Sequence, residues 1–252
     1  VALKEMRQLA RSRFISIGLI SYLAIVMLAV VLMLLARIDD LQLNTIDRTS
    51  DLGLTVFAPV YAILSLVLMI GAPLFMGLRM VAERSSEHLD LQYTTALKPR
   101  QLIDGKMAAV GILFFLFASV SMPFMTLAYM LRGLNIFQAL ALSAAMMIIA
   151  SLLVQISLLF ATIIISKVLR IMVGILFFGA VLSFTISWIS YSCMMTAYDM
   201  YMFYLTAKDD YLVLGILILA WLSLTLFLRV CTIALLMPQS ANSAKGVRWW
   251  YT

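Results

Sequence analysis

Hydrophobic residues fill six long stretches of the chain, and charged residues fall almost entirely between these stretches. Each stretch reaches or exceeds the roughly 18–20 apolar residues that a helix needs to cross a hydrocarbon layer. Backbone amides in lipid must be satisfied within their own segment, so these stretches are expected to be helices. The pattern predicts an all-α integral membrane protein with six transmembrane helices. The predicted spans are about 14–36, 52–80, 107–131, 134–166, 170–196 and 211–236.

Composition and the placement of charge agree with this prediction. Hydrophobic residues make up 64% of the chain, whereas they are about half of an ordinary globular domain. Of the 18 Lys and Arg, only Arg37, Arg48, Arg132 and Lys208 fall in the first, third and fifth loops. The positive-inside rule then places both termini and residues 80–106 in the cytoplasm. The net charge of +6 therefore indicates orientation in the cell's cytoplasmic membrane, and we expect no nucleic-acid partner.

The segment before the first span has its own helical pattern. Within residues 3–14, Leu3, Met6, Ala10 and Phe14 share one stripe, and cations share a neighbouring stripe. An amphipathic helix of this kind would lie at the inner membrane interface. The alternative is a positive flank that only orients the first span. The apolar run that follows is longer than the about 7–15 residues of a signal-peptide core, so we expect it to be retained.

Counting residue types disfavours several chemistries. His88 is the one histidine, which argues against bis-His haem ligation and a His-based zinc site in the bilayer. The interiors of the predicted spans carry no ionisable residue, which disfavours proton-coupled transport. There is no G-x-S-x-G elbow, and Asp104-Gly105-Lys106-Met107 lacks most of a phosphate-binding loop. We therefore expect that this chain is not an enzyme, binds no cofactor or metal, and hydrolyses no ATP alone.

The longest and most charged loop, residues 83–106, separates the second and third spans. Ser85 or Ser86 is suited to cap a helix there, and Pro99 is expected to end it. One face of this predicted helix is apolar at helical spacing: Leu89, Tyr93, Ala96 and Leu97. An exposed apolar face on a short cytoplasmic helix fits the groove of another protein, which is a common mode of recognition.

This loop resembles the cytoplasmic loop of type-2 ABC transporter permeases. The family pattern is E-R-E-x-G-T-L-E-L-L-L-x-T-P-L, four variable residues, and then I-L-L-G-K or similar. The positions that match, with the spacing unbroken, are Glu83, Arg84, Leu89, Leu91, Thr95, Leu97, Gly105 and Lys106. Glu87 stands where the family usually has Gly, and Ala96 where it often has Pro. The six spans, cytoplasmic termini and N-terminal amphipathic helix are also similar to the family.

The resemblance implies a coupled transporter of the exporter type. The loop helix would be the coupling helix, seated in a groove of a separate cytoplasmic ATPase. Two permease subunits would pair, as a homodimer or a heterodimer, above two ATPase subunits that hold ATP and Mg²⁺. The residues that the resemblance assigns to ATPase coupling are Glu83, Arg84, Leu89, Gln92, Tyr93, Leu97, Gly105 and Lys106.

The same resemblance implies that spans two and five line a path for the substrate. The candidates are Phe57, Tyr61, Met69 and Met76 on span two and Phe177, Phe184 and Trp188 on span five. Ordinary packing or lipid contact is the alternative interpretation for each of these side chains. The sequence does not identify the substrate.

Two other functions stay open from the sequence. The chain is also compatible with a permease-like subunit of a membrane biogenesis or maturation complex that handles haem or metalloenzyme assembly. Haem handling predicts outer His or Trp motifs, and the predicted outer loops contain none. A membrane enzyme or a non-transporting membrane scaffold, with a fortuitous loop match, is the second alternative. Binding of an ATPase that requires residues 85–97 would separate these possibilities from the transporter.

Overall fold

The computed structural model describes residues 13–36, 52–85, 99–131, 136–163, 167–197 and 201–236. Side chains are described chiefly for 15–36, 52–82, 100–131, 136–163, 171–194 and 219–236. The elements are α1 (Arg13–Ala36), α2 (Leu52–Leu66), a π-helical segment (Val67–Gly71), α3 (Ala72–Ser85), α4 (Pro99–Met130), α5 (Ile136–Ile163), α6 (Lys167–Ala197) and α7 (Tyr201–Leu236). Because α2, the π-helical segment and α3 follow one another without a break, they form one span.

The described part of the chain contains six helices that are long and apolar enough to cross a membrane, and no strand. The prediction of an all-α, six-span membrane protein is confirmed at this level. The amphipathic helix predicted for residues 3–14 and the helix predicted between 86 and 98 lie outside the described residues, apart from 13 and 14.

Two helices begin eight or more residues before the predicted spans. The third span was expected from residue 107, but α4 begins at Pro99. Proline suits the first position of a helix because its missing N–H has no partner there in any case. The sixth span was expected from residue 211, but α7 begins at Tyr201. The apolar pattern predicts only the part of a helix that lies in lipid, and these helices extend beyond it.

The second span forms the centre of the bundle. Half of the residues in its most apolar 18-residue stretch are buried, whereas only 11% are buried in the corresponding stretches of α6 and α7. The core side chains of this span include Val56, Val60, Leu64 and Leu68. They pack with buried residues of α1, α4 and α5. The peripheral helices keep apolar faces on the outside, as expected where the surrounding solvent is lipid.

The middle of the second span contains one wide helical turn, in which the backbone hydrogen bond spans five residues instead of four. In the π-helical segment Val67–Gly71, the N–H of Ala72 bonds the carbonyl of Val67, five residues earlier. Pro73 follows directly and has no N–H to donate. A single wide turn of this kind is often found at functional sites. Here it places a break in helical regularity between α2 and α3.

Gly77 brings α3 against α5. A Cβ at this position would collide with Oγ of Ser157. Ser157 Oγ donates a hydrogen bond of 2.7 Å to the carbonyl of Pro73. Small residues allow membrane helices to approach closely, and a hydroxyl can then bond across the interface. Gly77 and Ser157 therefore form the tight contact between the second and fourth spans.

Candidate functional site

The predicted ATPase-coupling residues fall into three groups in the structure. Glu83 and Arg84 belong to the last turn of α3, with side chains outside the described set. Four further residues lie outside the described residues altogether: Leu89, Gln92, Tyr93 and Leu97. Their contact with an ATPase stays a prediction. The structure does show the two helices that flank this segment, since α3 ends at Ser85 and α4 begins at Pro99.

Gly105 and Lys106 form the third group and lie within α4 instead of in a loop. Both are buried, and Lys106 has 0% of its surface exposed. The expected loop placement of these two residues is corrected by the early start of α4 at Pro99. In this conformation Lys106 contacts its own chain, so an ATPase bound at the surface would not reach it.

An ion pair joins α4 to α7 near these residues. Arg229 Nη2 contacts Asp104 Oδ1 across the two helices. Arg100 Nε lies 3.8 Å from Asp104 Oδ2, one turn earlier on α4. Because these side chains are partly exposed, the pairs are screened and contribute little to stability. The ion pair between Asp104 and Arg229 shows that the start of span three and the end of span six lie at the same end of the bundle.

The path candidates on span two lie inside the bundle. Phe57, Tyr61, Met69 and Met76 each have 0% of their surface exposed. Packing within one chain accounts for all four in this conformation. Lining of a path between two subunits stays a prediction for them, and it would require a rearrangement that exposes them.

The path candidates on span five are more accessible. Phe184 is 44% exposed, whereas Phe177 and Trp188 are half-buried. The ring of Phe177 meets that of Phe160 on α5 edge to face, with centroids 5.4 Å apart. Trp188 points in a different direction, toward Tyr61 on the second span.

Tyr61 is the centre of a hydrogen-bonded cluster among three spans. Trp188 Nε1 on α6 donates to Tyr61 Oη at 2.9 Å. Tyr61 Oη in turn donates to the carbonyl of Leu142 on α5 at 3.3 Å. Ser192 Oγ lies 3.4 Å from the same phenol oxygen. Phe57 stacks on the Tyr61 ring one turn away, at 5.3 Å between centroids.

The second layer of this cluster is built one turn further along α2. Ser65 Oγ donates to the carbonyl of Tyr61 at 2.7 Å and lies 3.1 Å from Sδ of Met146 on α5. We call Tyr61, Ser65, Leu142, Trp188 and Ser192 the tyrosine cluster. It carries no formal charge, so it suits a low-dielectric interior, where unpaired polar groups are costly. Its chemistry is that of a neutral tie between spans two, four and five.

A smaller polar contact ties α1 to α4. The hydroxyls of Tyr22 and Ser121 are hydrogen-bonded to each other in the core. Ser121 Oγ also lies 2.9 Å from the carbonyl of Phe117, and the Tyr22 ring meets the Phe117 ring edge to face. Sequence reasoning missed these residues. A usable signal was present, because a Tyr and a Ser inside apolar spans need partners there.

Sequence reasoning found part of the tyrosine cluster. It named Tyr61 and Trp188 as candidates for a substrate path, but it did not join them, and it missed Ser65 and Ser192. In the described ranges, no group of three His, Cys, Asp or Glu side chains is placed to hold a metal ion. Cys193 and Cys231 are both free thiols.

Comparison with known proteins adds no further identification. No protein family model, curated protein or solved structure matches the chain. The fold defines the class as a multi-pass membrane protein with six spanning helices in its described part.

Proposed function

We propose that the chain is the permease subunit of an ATP-driven exporter of the type-2 ABC class. It works as a dimer, with a second copy or a related chain, above two cytoplasmic ATPase subunits that bind ATP and Mg²⁺. The observation that carries the proposal is that eight positions within residues 83–106 match the family's loop pattern with the spacing unbroken. The six-span fold supports it, because this loop must lie between spans two and three.

The frame around the loop suits a coupling element. Residues 86–98 connect the end of α3 to the start of α4. Upstream of this segment, α3 packs tightly on α5 through Gly77 and Ser157. The start of α4 contacts α7 through Asp104 and Arg229. A force applied to residues 86–98 by a moving ATPase would therefore act on four spans at once.

The tyrosine cluster indicates which spans would move together in the proposed motion. Trp188 and Tyr61 tie α6 to the second span by a direct hydrogen bond. Breaking a buried bond of this kind leaves an unpaired donor, which costs about 1–3 kcal/mol. Spans two and five would therefore move together when the coupling segment moves, as an exporter that opens along these spans requires. The wide turn at Val67–Gly71 is the place in the second span where α2 and α3 can change their relative tilt.

The test is a charge placed on the predicted apolar face of the coupling helix. Tyr93→Asp would bury an unpaired carboxylate in the ATPase groove, at a cost of several kcal/mol. Since about 1.4 kcal/mol is a tenfold change in affinity, we expect at least a hundredfold weaker ATPase binding and loss of transport. Membrane levels of the permease are expected to stay normal. The measurements are co-purification of the ATPase from native membranes and substrate efflux.

Two matched variants act as controls. Tyr93→Phe keeps the apolar ring, and Thr94→Asp places the same charge at the next residue, off the apolar face. Both are expected to keep most of the bound ATPase. If Tyr93→Asp retains the ATPase at the wild-type level with full transport, residues 86–98 are a solvated loop and the proposal fails.

A further inference from the structure

An apolar groove of about 550 Å³ lies between α3, α5 and α6. Its walls include Pro73 and Leu78 of α3, Ala161 of α5, and Gly174 and Phe178 of α6. Its volume falls within the about 300–1,000 Å³ of ordinary ligand sites. It is distinct from the tyrosine cluster, with which it shares no residue.

The chemistry of the groove excludes a polar ligand. Ser157 contributes the one side-chain hydroxyl among the lining residues, and this hydroxyl is already donated to the carbonyl of Pro73 at 2.7 Å. The lining therefore offers no free side-chain donor, and its one side-chain acceptor is the oxygen of this same hydroxyl, which is too little to orient a sugar, peptide or nucleotide. The occupant must therefore be held by apolar contact alone along the length of the groove.

The dimensions fit a single lipid chain. Along the second span the groove runs from Ile70 in the π-helical segment to Val81 in α3, a rise of about 16 Å at 1.5 Å per residue. One leaflet of a hydrocarbon core of about 30 Å is about 15 Å thick. The groove also opens sideways toward lipid, since Leu78 is 62% and Ile175 67% exposed. An acyl chain could enter from the leaflet without crossing water.

Two arginines adjoin groove-lining residues in the sequence. Arg79 follows Leu78 on α3 near the end of that helix. Arg170 directly precedes Ile171, the first groove residue of α6. Arginines at the end of a pocket between membrane helices favour anionic lipid headgroups. In the sequence, an arginine therefore stands directly beside a groove-lining residue on each of these two helices.

We propose that this groove binds one acyl chain of an anionic phospholipid from the leaflet at this end of the bundle. The lipid would fill the space between spans two, four and five and hold α6 against α3. This inference goes beyond the proposed transport function and does not depend on it, because it rests only on the groove and the residues at its end.

The test uses a substitution whose new side chain would occupy the groove, at a glycine that has room for it. A Cβ at Gly174 or at Gly179 on α6 would meet nothing within 4 Å, and only Gly174 lines the groove. Gly174→Trp should therefore displace the acyl chain, and Gly179→Trp is the matched control on the same helix. The protein is reconstituted into nanodiscs of equal phosphatidylglycerol and phosphatidylcholine and then extracted in mild detergent. Native mass spectrometry counts the lipids that remain bound.

We expect the wild type and Gly179→Trp to retain one phosphatidylglycerol and Gly174→Trp to retain at least tenfold less. A photoactivatable phosphatidylglycerol with a diazirine on its acyl chain provides a second test on the unaltered protein. Its adducts should concentrate on Phe160 and Phe178 relative to the exposed Ile20 of α1. The inference is overturned by equal labelling of these sites, by retained phosphatidylcholine, or by equal lipid retention in both variants. Conversion of a dimer to a monomer by Gly174→Trp with unchanged lipid would instead assign the groove to a second copy of the chain.

Discussion

Single small residues decide how closely the spans of this protein approach. Gly77 is the clearest case, because its missing Cβ leaves the room that Ser157 Oγ occupies. By contrast, a Cβ at Gly18 or Gly111 would meet nothing within 4 Å. All three glycines lie inside helices, but only Gly77 is needed for close packing of two helices.

We expect Gly77→Ala to destabilise the protein. The added methyl group must displace Ser157 Oγ, which either breaks the hydrogen bond of that oxygen to the Pro73 carbonyl or moves α3 away from α5, and overpacking costs up to about 1–3 kcal/mol. Gly111→Ala is the control, since it brings the same gain in helix propensity without a collision. Thermal stability in detergent, followed by size-exclusion chromatography, should fall for Gly77→Ala and stay level or rise for Gly111→Ala.

Ser157→Ala completes the experiment as a double-mutant cycle. Alone, it loses the bond to the Pro73 carbonyl, which is worth about 0.6 kcal/mol on average for contacts between membrane helices. Combined with Gly77→Ala, it removes the colliding oxygen. The double variant is expected to be more stable than Gly77→Ala alone. Additive losses would mean that the two residues do not touch.

Removal of the Tyr61 hydroxyl is a second residue-scale prediction. Tyr61→Phe keeps the ring stacked on Phe57 but leaves Trp188 Nε1 without its acceptor at 2.9 Å. We expect a loss of about 1–3 kcal/mol, the cost of an unsatisfied buried donor. Tyr191→Phe, at an exposed position on the same helix as Trp188, should change thermal stability little. If Tyr61→Phe matches Tyr191→Phe, the cluster does not hold these spans together.

At the scale of elements, the start of α4 has a defined neighbour. The first two turns of α4 carry Arg100 and Asp104, and the carboxylate of Asp104 contacts Arg229 near the end of α7. Spans three and six, formed by α4 and α7, are far apart in the chain, so this contact fixes which two helices are neighbours in the bundle.

We expect a short thiol cross-linker, which spans the length that the arginine side chain covers, to join Asp104→Cys to Arg229→Cys within one chain. The background is Cys193→Ser and Cys231→Ser, which removes the natural thiols. Leu116→Cys paired with Arg229→Cys is the control, because position 116 lies about 18 Å further along α4. A protease site between the two helices reports the link on a gel. Equal cross-linking of both pairs would contradict the arrangement.

At the scale of the whole molecule, the prediction is orientation. Membrane-impermeant thiol labelling of intact cells should reach Asn44→Cys and Lys208→Cys but not Gln101→Cys. The physical reason is the asymmetry of Lys and Arg between alternate loops. Asp104 and Arg229 lie together, so spans three and six reach the same membrane face, as six antiparallel crossings require. Labelling of Gln101→Cys from outside would reverse the topology and exclude a cytoplasmic coupling helix.

The spans were predictable because lipid leaves a long apolar segment one way to satisfy its backbone. The extra turns of α4 and α7 were not, since these turns carry no long apolar run and depend on local propensity and packing. The coupling residues from Leu89 to Leu97 lie outside the described residues, so their assignment still rests on the loop pattern alone.

The sequence by itself therefore determined the number of membrane-spanning helices and an expected orientation, because hydrophobic length and charge placement act locally. Only the tertiary structure decided which faces meet. Tyr61 and Trp188 are 127 residues apart and bond directly, and Lys106, placed by its sequence context in a polar loop, is fully buried. In lipid, every outward and inward position is apolar, so hydrophobicity does not distinguish the core from the surface. Steric fit and a few polar contacts, such as Gly77 with Ser157, make that choice.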